Sequence, residues 1–180
     1  DSALKEFTDD PNTKIVILTG DAGQGKTFAC RSLLSHLEVE KPLETILNKC
    51  RGKDDLAVTD GEKILRMVKD LSEMNSEESA SMILENLIDE ERVLILCANE
   101  GVLREILTLM KDLSEDGKTW AERIKNSRSN SEKYGRVHGG NDYGIRFLDL
   151  NQQTVVSREN SFLAEVIKVF CEEEKRWSVC

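Results

Sequence analysis

The sequence predicts an α/β fold in which a mainly parallel sheet of about five strands carries helices on both faces. Two continuous apolar runs, residues 15–18 (IVIL) and 93–97 (VLILC), lack the alternation of a half-exposed strand. Such runs are typical of strands that are buried on both faces of a parallel sheet. Apolar residues at helical spacing follow each run, and this order favours parallel strands joined by right-handed crossovers.

The predicted elements alternate along the chain and are delimited by turn residues. In chain order they are a lead-in (1–13), a strand (15–18), a helix (26 to about 38), a strand or short helix (43–50), a polar connection (51–61), a strand (64–70), a helix (76–89), a strand (93–97), a helix (about 101–113), a basic flexible loop (118–141), a strand (145–150), a hairpin strand (154–156) and a final helix (159 to about 176). Ser76 is the expected cap of its helix, because a serine oxygen accepts well from the amides of a first turn. No internal repeat interrupts this order, so one domain is expected.

Length and composition indicate a globular domain that works in a reducing compartment. The chain has 180 residues and a formal net charge of −9, which disfavours a surface that binds polyanions everywhere. Its five cysteines form no CxxC pair, and Cys30 and Cys97 lie in apolar segments, so we expect buried free thiols and no zinc. Neither a membrane span nor a secretory signal is recognisable, which predicts a cytoplasmic location without membrane contact. Since the sequence does not begin with Met, we expect a piece of a longer protein.

The most informative motif is a complete GxxxxGK[ST], formed by Gly20, Asp21, Ala22, Gly23, Gln24, Gly25, Lys26 and Thr27. A buried strand precedes it and a helix follows it, which is the context that a phosphate-binding loop requires. Its glycines let successive amides point inward, and the helix N-terminus adds partial positive charge. Lys26 is expected to reach the β- and γ-phosphates and Thr27 to supply a ligand of Mg²⁺, with Phe28 beside the nucleotide. The sequence therefore predicts a three-layer P-loop NTPase core.

The acid that completes a magnesium site is expected at the end of a neighbouring strand. Asp70 follows the run ILRMVK, although Arg66 and Lys69 interrupt its apolar character. Glu73, three residues later, is a candidate for polarising the attacking water. The alternatives are the triplet at 89–91 (DEE), which fits the end of a helix better, and an acid elsewhere or outside the chain.

Asn99 and Glu100 follow the apolar run at 93–97 and are expected at the same edge of the sheet. Ligands of open α/β sheets bind outside the carboxyl ends of the strands. The amide of Asn99 could hold the attacking water or touch the γ-phosphate, and it could also cap the next helix. Glu100 is either catalytic or a favourable acid at a helix N-terminus.

Residues 118–136 carry a local excess of positive charge in an acidic chain. Their basic residues are Lys118, Arg123, Lys125, Arg128, Lys133 and Arg136. The segment could contact DNA, or Arg128 or Arg136 could reach a neighbouring subunit's γ-phosphate as an arginine finger. A solvated helix and flexible loop would explain the same residues. Tyr134 and Tyr143 could stack on bases or pack in turns.

The loop, the strand that ends at Asp70 and the strand that leads to Asn99 resemble the additional-strand P-loop ATPases, the broad AAA+/STAND group. In that group the loop is Walker A, the aspartate is the Walker B acid and the asparagine is sensor 1. The phrases ILTGDAGQGKT (17–27), VLILCANEGVLREIL (93–107) and FLDLNQQTVVS (147–157) are similar to the ATPase component F of bacterial DNA-phosphorothioation-dependent restriction systems. The resemblance covers residues 14–165.

This resemblance implies Mg-dependent ATP binding and hydrolysis that drive a conformational change in an anti-phage defence assembly, with DNA and other proteins as partners. Such proteins are longer and carry a helical lid after the core, which leaves turnover by this chain alone open. ATP is favoured over GTP, because Asn48, Lys49 and Cys50 are followed by Arg51 where a base-reading NKxD motif needs Asp. The alternatives are a nucleotide-binding switch with little turnover and a small-molecule kinase with an arginine-bearing lid.

Overall fold

The computed structural model describes residues 8, 10–21, 23–36, 50–59, 62–133, 138–140 and 143–152. The strands are β1 (Ile15–Thr19), β2 (Ala57–Val58), β3 (Ile64–Val68), β4 (Arg92–Ala98), β5 (His138–Gly140) and β6 (Ile145–Asp149). The helices are α1 (Lys26–His36), α2 (Ser76–Ile88), α3 (Glu100–Leu113) and α4 (Glu115–Lys133), with 3-10 turns at Leu71–Glu73 and Leu150–Gln152. In the described part of the chain, no helix has the length and apolar character needed to span a membrane.

The sheet has the order β2-β3-β4-β1-β6-β5. Its four central strands run parallel, whereas the short outer strands β2 and β5 pair antiparallel with β3 and β6. The predicted mixed α/β architecture with a mostly parallel sheet is thus confirmed. The antiparallel strands were not predicted, because β2 lies in a polar connection and β5 is glycine-rich.

Helices cover both faces of the sheet and bury its central strands. On one face α2, α3 and α4 pack against a cluster that includes Ile17 and Leu94. On the other face α1 packs against Val16 and Ile95. Full burial of each such side chain contributes about 1.5–3 kcal/mol. This two-sided burial explains why β1 and β4 are apolar throughout.

The prediction of a flexible loop over residues 118–141 is wrong for the part of this range that the structure describes, residues 118–133 and 138–140. Residues 115–133 form α4 and residues 138–140 form β5. Ala121, Ile124 and Ser127 are buried at a helical spacing of three, which gives α4 a narrow core-facing stripe. The basic and serine-rich composition of the remaining positions obscured this stripe in the sequence.

The predicted cap of α2 is also wrong by one residue. Asn75, and not Ser76, is the cap, because its Oδ1 accepts hydrogen bonds from the amides of Glu77 (2.9 Å) and Glu78 (3.2 Å). The predicted elements at 154–156 and 159–176 lie outside the described residues, as does the predicted element at 43–50 except for its last residue.

Candidate functional site

The loop between β1 and α1 lies at the carboxyl edge of the sheet. Gly23 and Gly25 have φ values of 82° and 86°, in the left-handed region that other residues rarely adopt. A Cβ at either position would meet no atom within 4 Å, so the path of the backbone, and not a lack of space, requires glycine. These glycines shape the turn that joins a buried strand directly to a helix.

The amides of this loop are a set of hydrogen-bond donors without acceptors. Among the described residues, no hydrogen-bond acceptor lies opposite the N–H groups of Gly23, Gly25, Thr27 and Phe28. The regular hydrogen bonds of α1 begin with the Ala29 amide, which donates to the Gly25 oxygen at 2.9 Å. Such donors at the start of a helix carry partial positive charge. The loop is therefore suited to an anion with several acceptor oxygens.

Lys26 adds a full positive charge to these donors. Its Nζ donates to the carbonyl oxygens of Gly20 (2.5 Å) and Asp21 (2.8 Å). Both acceptors are neutral, and no described carboxylate forms an ion pair with this ammonium group. A phosphate oxygen would be a stronger acceptor than either carbonyl, since charge-assisted hydrogen bonds are roughly twice as strong as neutral ones.

The other predicted loop residues are mostly exposed. Asp21, Gln24 and Thr27 are exposed, and 70% of the surface of Phe28 is open to solvent. Ala22 lies outside the described residues. Thr27 is the second residue of α1, directly after Lys26, which puts its hydroxyl beside the unpartnered amides.

The end of β6 supports the loop, and sequence reasoning missed it. Asn151 Oδ1 accepts from the Asp21 amide at 3.0 Å, and Asp149 Oδ1 accepts from the Asn151 amide at 3.0 Å. A Cβ on Gly20 would lie 3.2 Å from the Cβ of Leu150, so the turn also packs tightly on the loop. The available signal was an acid and an asparagine at the end of a parallel strand, the criterion that singled out Asn99.

The register of the sheet places Asp70 at the same edge as the loop. Leu96 of β4 pairs with both Ile17 of β1 and Val68 of β3, so Asp70, two residues beyond Val68, follows the carboxyl end of its strand. Its Oδ1 accepts from the amide (2.9 Å) and the hydroxyl (2.7 Å) of Ser72. The carboxylate is half-buried and anchored by this turn.

A buried thiol pair lies beneath the two candidate groups. The sulfur atoms of Cys30 and Cys97 are 3.2 Å apart, and both side chains are fully buried free thiols, as predicted. The hydrogen bond with Cys30 and burial raise the pKa of Cys97. The charges of Lys26 and Asp70 also act on this pKa, which indicates that both approach the end of β4.

Comparison of the chain with models of known protein families, with curated proteins and with solved structures found no match. The chemistry of the site thus stands on its own residues.

Asn99 caps α3. Its Oδ1 accepts from the amide of Val102 at 2.9 Å, and its side chain is exposed. The capping role that the sequence left open is therefore present. The amide nitrogen of the same side chain is not used by the cap and can donate to a ligand.

Glu100 forms two ion pairs. It pairs with Arg104 one turn along α3 and with Arg128 of α4 at 2.8 Å. The hydrogen bond from Arg128 and the charges of both arginines lower the pKa of Glu100. Arg128 is thus engaged within its own chain, and the other predicted arginine finger, Arg136, lies outside the described residues, as does Tyr134.

The remaining acids divide between the two edges. Glu73 is exposed at the loop edge and pairs with Lys69 at 3.7 Å. The alternative triplet 89–91 lies between α2 and the first residue of β4, so it belongs to the opposite edge, where Asp89 pairs with Arg92.

Proposed function

We propose that this chain binds Mg·ATP at the carboxyl edge of its sheet and hydrolyses it to drive a conformational change in a bacterial DNA-restriction assembly. The supporting observation is the loop itself, where unpartnered amides and the Lys26 ammonium group meet at the start of α1. On binding, Lys26 would exchange the carbonyls of Gly20 and Asp21 for phosphate oxygens. The defence role is supported by the phrases at 17–27, 93–107 and 147–157.

The strand order supports the same group of ATPases. β4 lies between β1, which leads into the loop, and β3, which leads to Asp70. An extra strand in this position is the feature for which the additional-strand group is named. Asp70 and Asn99 then follow two neighbouring strands on one side of the loop.

Thr27 and Asp70 are the residues that would hold the magnesium ion. One hydroxyl and one carboxylate suit Mg²⁺, which usually completes its six oxygens with phosphates and water. Within the described residues, no three His, Cys, Asp or Glu side chains form a metal cluster, so the nucleotide would have to complete the coordination. When bound, the ion neutralises phosphate charge.

Glu73 is the stronger candidate for activating water, with Asn99 positioning it. Glu100 is held as an anion by two guanidinium groups, which makes its carboxylate a weak proton acceptor. Glu73 has only the longer contact with Lys69. The unused amide nitrogen of Asn99 could donate to the attacking water or to the γ-phosphate.

A nucleotide-binding switch with little turnover is the second candidate function. The observation that favours it is that the carboxylates of Asp70 and Glu100 are both engaged within the chain. Both Ser72 hydrogen bonds go to Oδ1 of Asp70, so Oδ2 is the oxygen that would bind magnesium during hydrolysis. A small-molecule kinase is less well supported, because the helix that would form its lid, α4, packs into the core. Arg128 of this helix is paired with Glu100.

Calorimetric titration with Mg·ATP and Mg·GTP tests the binding step. We expect Lys26→Ala to weaken ATP binding about 10- to 100-fold, since a hydrogen bond to a charged group contributes about 1.5–3 kcal/mol. Lys53→Ala is the matched control, because Lys53 is an exposed cation that pairs with Glu78 outside the loop. Equal ATP affinity of Lys26→Ala and wild type would contradict the proposal.

Phosphate release then separates the functions. Release that duplex DNA stimulates supports the restriction motor, whereas tight binding without release supports the switch. Turnover only with an added metabolite would indicate a kinase. Thr27→Ala should raise the magnesium concentration that ATP binding requires. Thr27→Ser should require the same concentration as wild type, because it keeps the hydroxyl group that would bind the ion.

A further inference from the structure

A pocket of about 550 Å³ lies at the amino edge of the sheet, opposite the loop. Lys14 precedes β1, Lys63 precedes β3 and Tyr143 lies just before β6, while Arg123 and Trp120 reach it from α4. Since β1 has five residues at about 3.3 Å each, the two edges are about 16 Å apart. The pocket is therefore separate from the nucleotide loop.

Unpaired positive charge distinguishes this pocket. Nine described cations form ion pairs, namely Lys53, Arg66, Lys69, Arg92, Arg104, Lys111, Lys118, Arg128 and Arg146. In contrast, Lys14, Lys63 and Arg123 pair with no described carboxylate, and Glu90 is the single acid among the described lining residues.

Neutral carbonyl groups hold the two lysines in place. Lys63 Nζ donates to the Thr13 oxygen at 2.8 Å, and Lys14 Nζ donates to the Leu87 oxygen at 3.4 Å. Burial and, after it, the charge of Lys14 lower the pKa of Lys63, although the charges of Asp10 and Glu90 act in the opposite direction. A bound anion would supply both lysines with a charged acceptor in place of neutral carbonyl groups.

Aromatic rings hold the third cation. The Arg123 guanidinium lies 4.2 Å from the ring centre of Tyr143 and 4.8 Å from that of Trp120. Its N–H groups have no described acceptor, and a stacked guanidinium keeps these in-plane donors available for a phosphate. Tyr143 is 51% exposed, so part of its ring can receive a planar ligand.

We propose that this amino-edge pocket binds one nucleotide unit, with its base stacked on the exposed part of the Tyr143 ring and its phosphate held by Lys14, Lys63 and Arg123. Its volume lies within the roughly 300–1,000 Å³ of typical ligand sites. Base stacking on aromatic and guanidinium planes, combined with cations for the backbone, is how proteins bind single strands. An acidic peptide would bind the cations and leave the exposed part of the Tyr143 ring without a stacking partner. The inference does not depend on the function of the loop.

Fluorescence anisotropy of a labelled single-stranded oligothymidylate tests this site. All proteins carry Lys26→Ala, so that binding at the loop is weakened throughout. We expect Arg123→Gln to bind about tenfold more weakly, because a charge-assisted hydrogen bond to the phosphate is lost. Lys53→Gln should bind like its parent, because it removes the charge of an exposed lysine that pairs with Glu78 and does not line the pocket. Circular dichroism melting of both variants compares their folding.

Salt dependence separates the roles of the side chains. Lys63→Gln should lower the slope of log K against log salt by about 0.7, the value for one phosphate contact of a single strand. Tyr143→Leu should weaken binding without changing the slope, and Tyr143→Phe should retain affinity because it keeps the ring.

Competition with AMP identifies the source of the nucleotide unit. Displacement by AMP means that the pocket takes a free nucleotide, and oligonucleotide binding without displacement means that it takes one within a strand. Both results support the inference. It is overturned if neither ligand binds, if Arg123→Gln and Lys53→Gln bind equally, or if polyglutamate competes as well as the oligonucleotide.

Discussion

The two edges of this sheet gather positive charge in different ways. At the carboxyl edge, eight consecutive residues supply a lysine and a row of backbone amides between a strand and a helix. At the amino edge, Lys14, Lys63 and Arg123 come from three distant segments. Lys14 and Lys63 meet because parallel strands begin together, and Arg123 joins them from α4. A contiguous motif can be recognised in a sequence, whereas a dispersed constellation depends on strand order.

The largest expected effect is that a substitution at either edge weakens only the ligand of that edge. Lys26→Ala should weaken Mg·ATP binding about 10- to 100-fold and leave oligonucleotide binding unchanged. Arg123→Gln should weaken oligonucleotide binding about tenfold and leave Mg·ATP binding at the loop unchanged. Titration of each variant with both ligands measures this. If one substitution weakened both ligands by the same factor, the edges would not be independent sites.

The second expected effect concerns the backbone next to the amino-edge pocket. Gly144 has a φ of 74°, its oxygen accepts from the amides of Lys14 and Ile15, and a Cβ there would lie 2.1 Å from the Asn12 oxygen. Gly144→Ala should lower the free energy of unfolding by about 2–4 kcal/mol, measured by urea denaturation.

Gly101→Ala is the control at the carboxyl edge. Its Cβ would have ordinary contact, with Asn99 Oδ1 at 3.6 Å, and alanine favours the helix by up to about 1 kcal/mol. Equal urea midpoints for the two variants would show that the backbone at Gly144 accommodates a side chain. The segment that contains Asn12 would then be able to move away from the new Cβ.

The third prediction separates capping from chemistry at the carboxyl edge. Asn99 and Asn75 cap neighbouring helices through the same side-chain oxygen. Each substitution by Ala should cost about 1 kcal/mol of unfolding free energy. Only Asn99→Ala should also slow phosphate release, by about tenfold or more, because one donor to the reacting groups is lost. If both variants slowed phosphate release equally, Asn99 would only cap α3 and would take no part in the reaction.

The sequence predicted those features whose determinants are local. The loop, the two-sided burial of β1 and β4 and the buried thiols of Cys30 and Cys97 follow from motifs and apolar runs. The stripe of Ala121, Ile124 and Ser127 in α4 was missed, because small and polar residues give a weak periodic signal when long charged residues surround them.

Features that depend on topology could not be predicted. Nothing near Asp21 indicates that Asn151 would accept its amide hydrogen, since 130 residues separate them and only the pairing of β6 with β1 brings them together. The bond between Asn75 and the first turn of α2 is local, but Asn75 and Ser76 are both good caps, and the sequence does not rank neighbours of similar propensity.

The smallest expected effect is a pH dependence carried by Glu100. Its pKa is lowered from the ordinary value of 4.5, first by Arg128, so the ionised form stabilises the fold above that value. This contribution is lost as pH falls through the lower pKa of the folded state. Arg128→Gln should raise the folded pKa and flatten the acid-induced fall in unfolding free energy below about pH 5.

Urea denaturation at a series of pH values measures this difference, which should stay below about 1 kcal/mol because 44% of the Glu100 side chain is exposed. Lys118→Gln provides the comparison, since it breaks an exposed pair with Glu115 that does not involve Glu100. Parallel curves for wild type and Arg128→Gln would mean that Arg128 does not hold Glu100 ionised. Glu100 would then again compete with Glu73 as the residue that activates water.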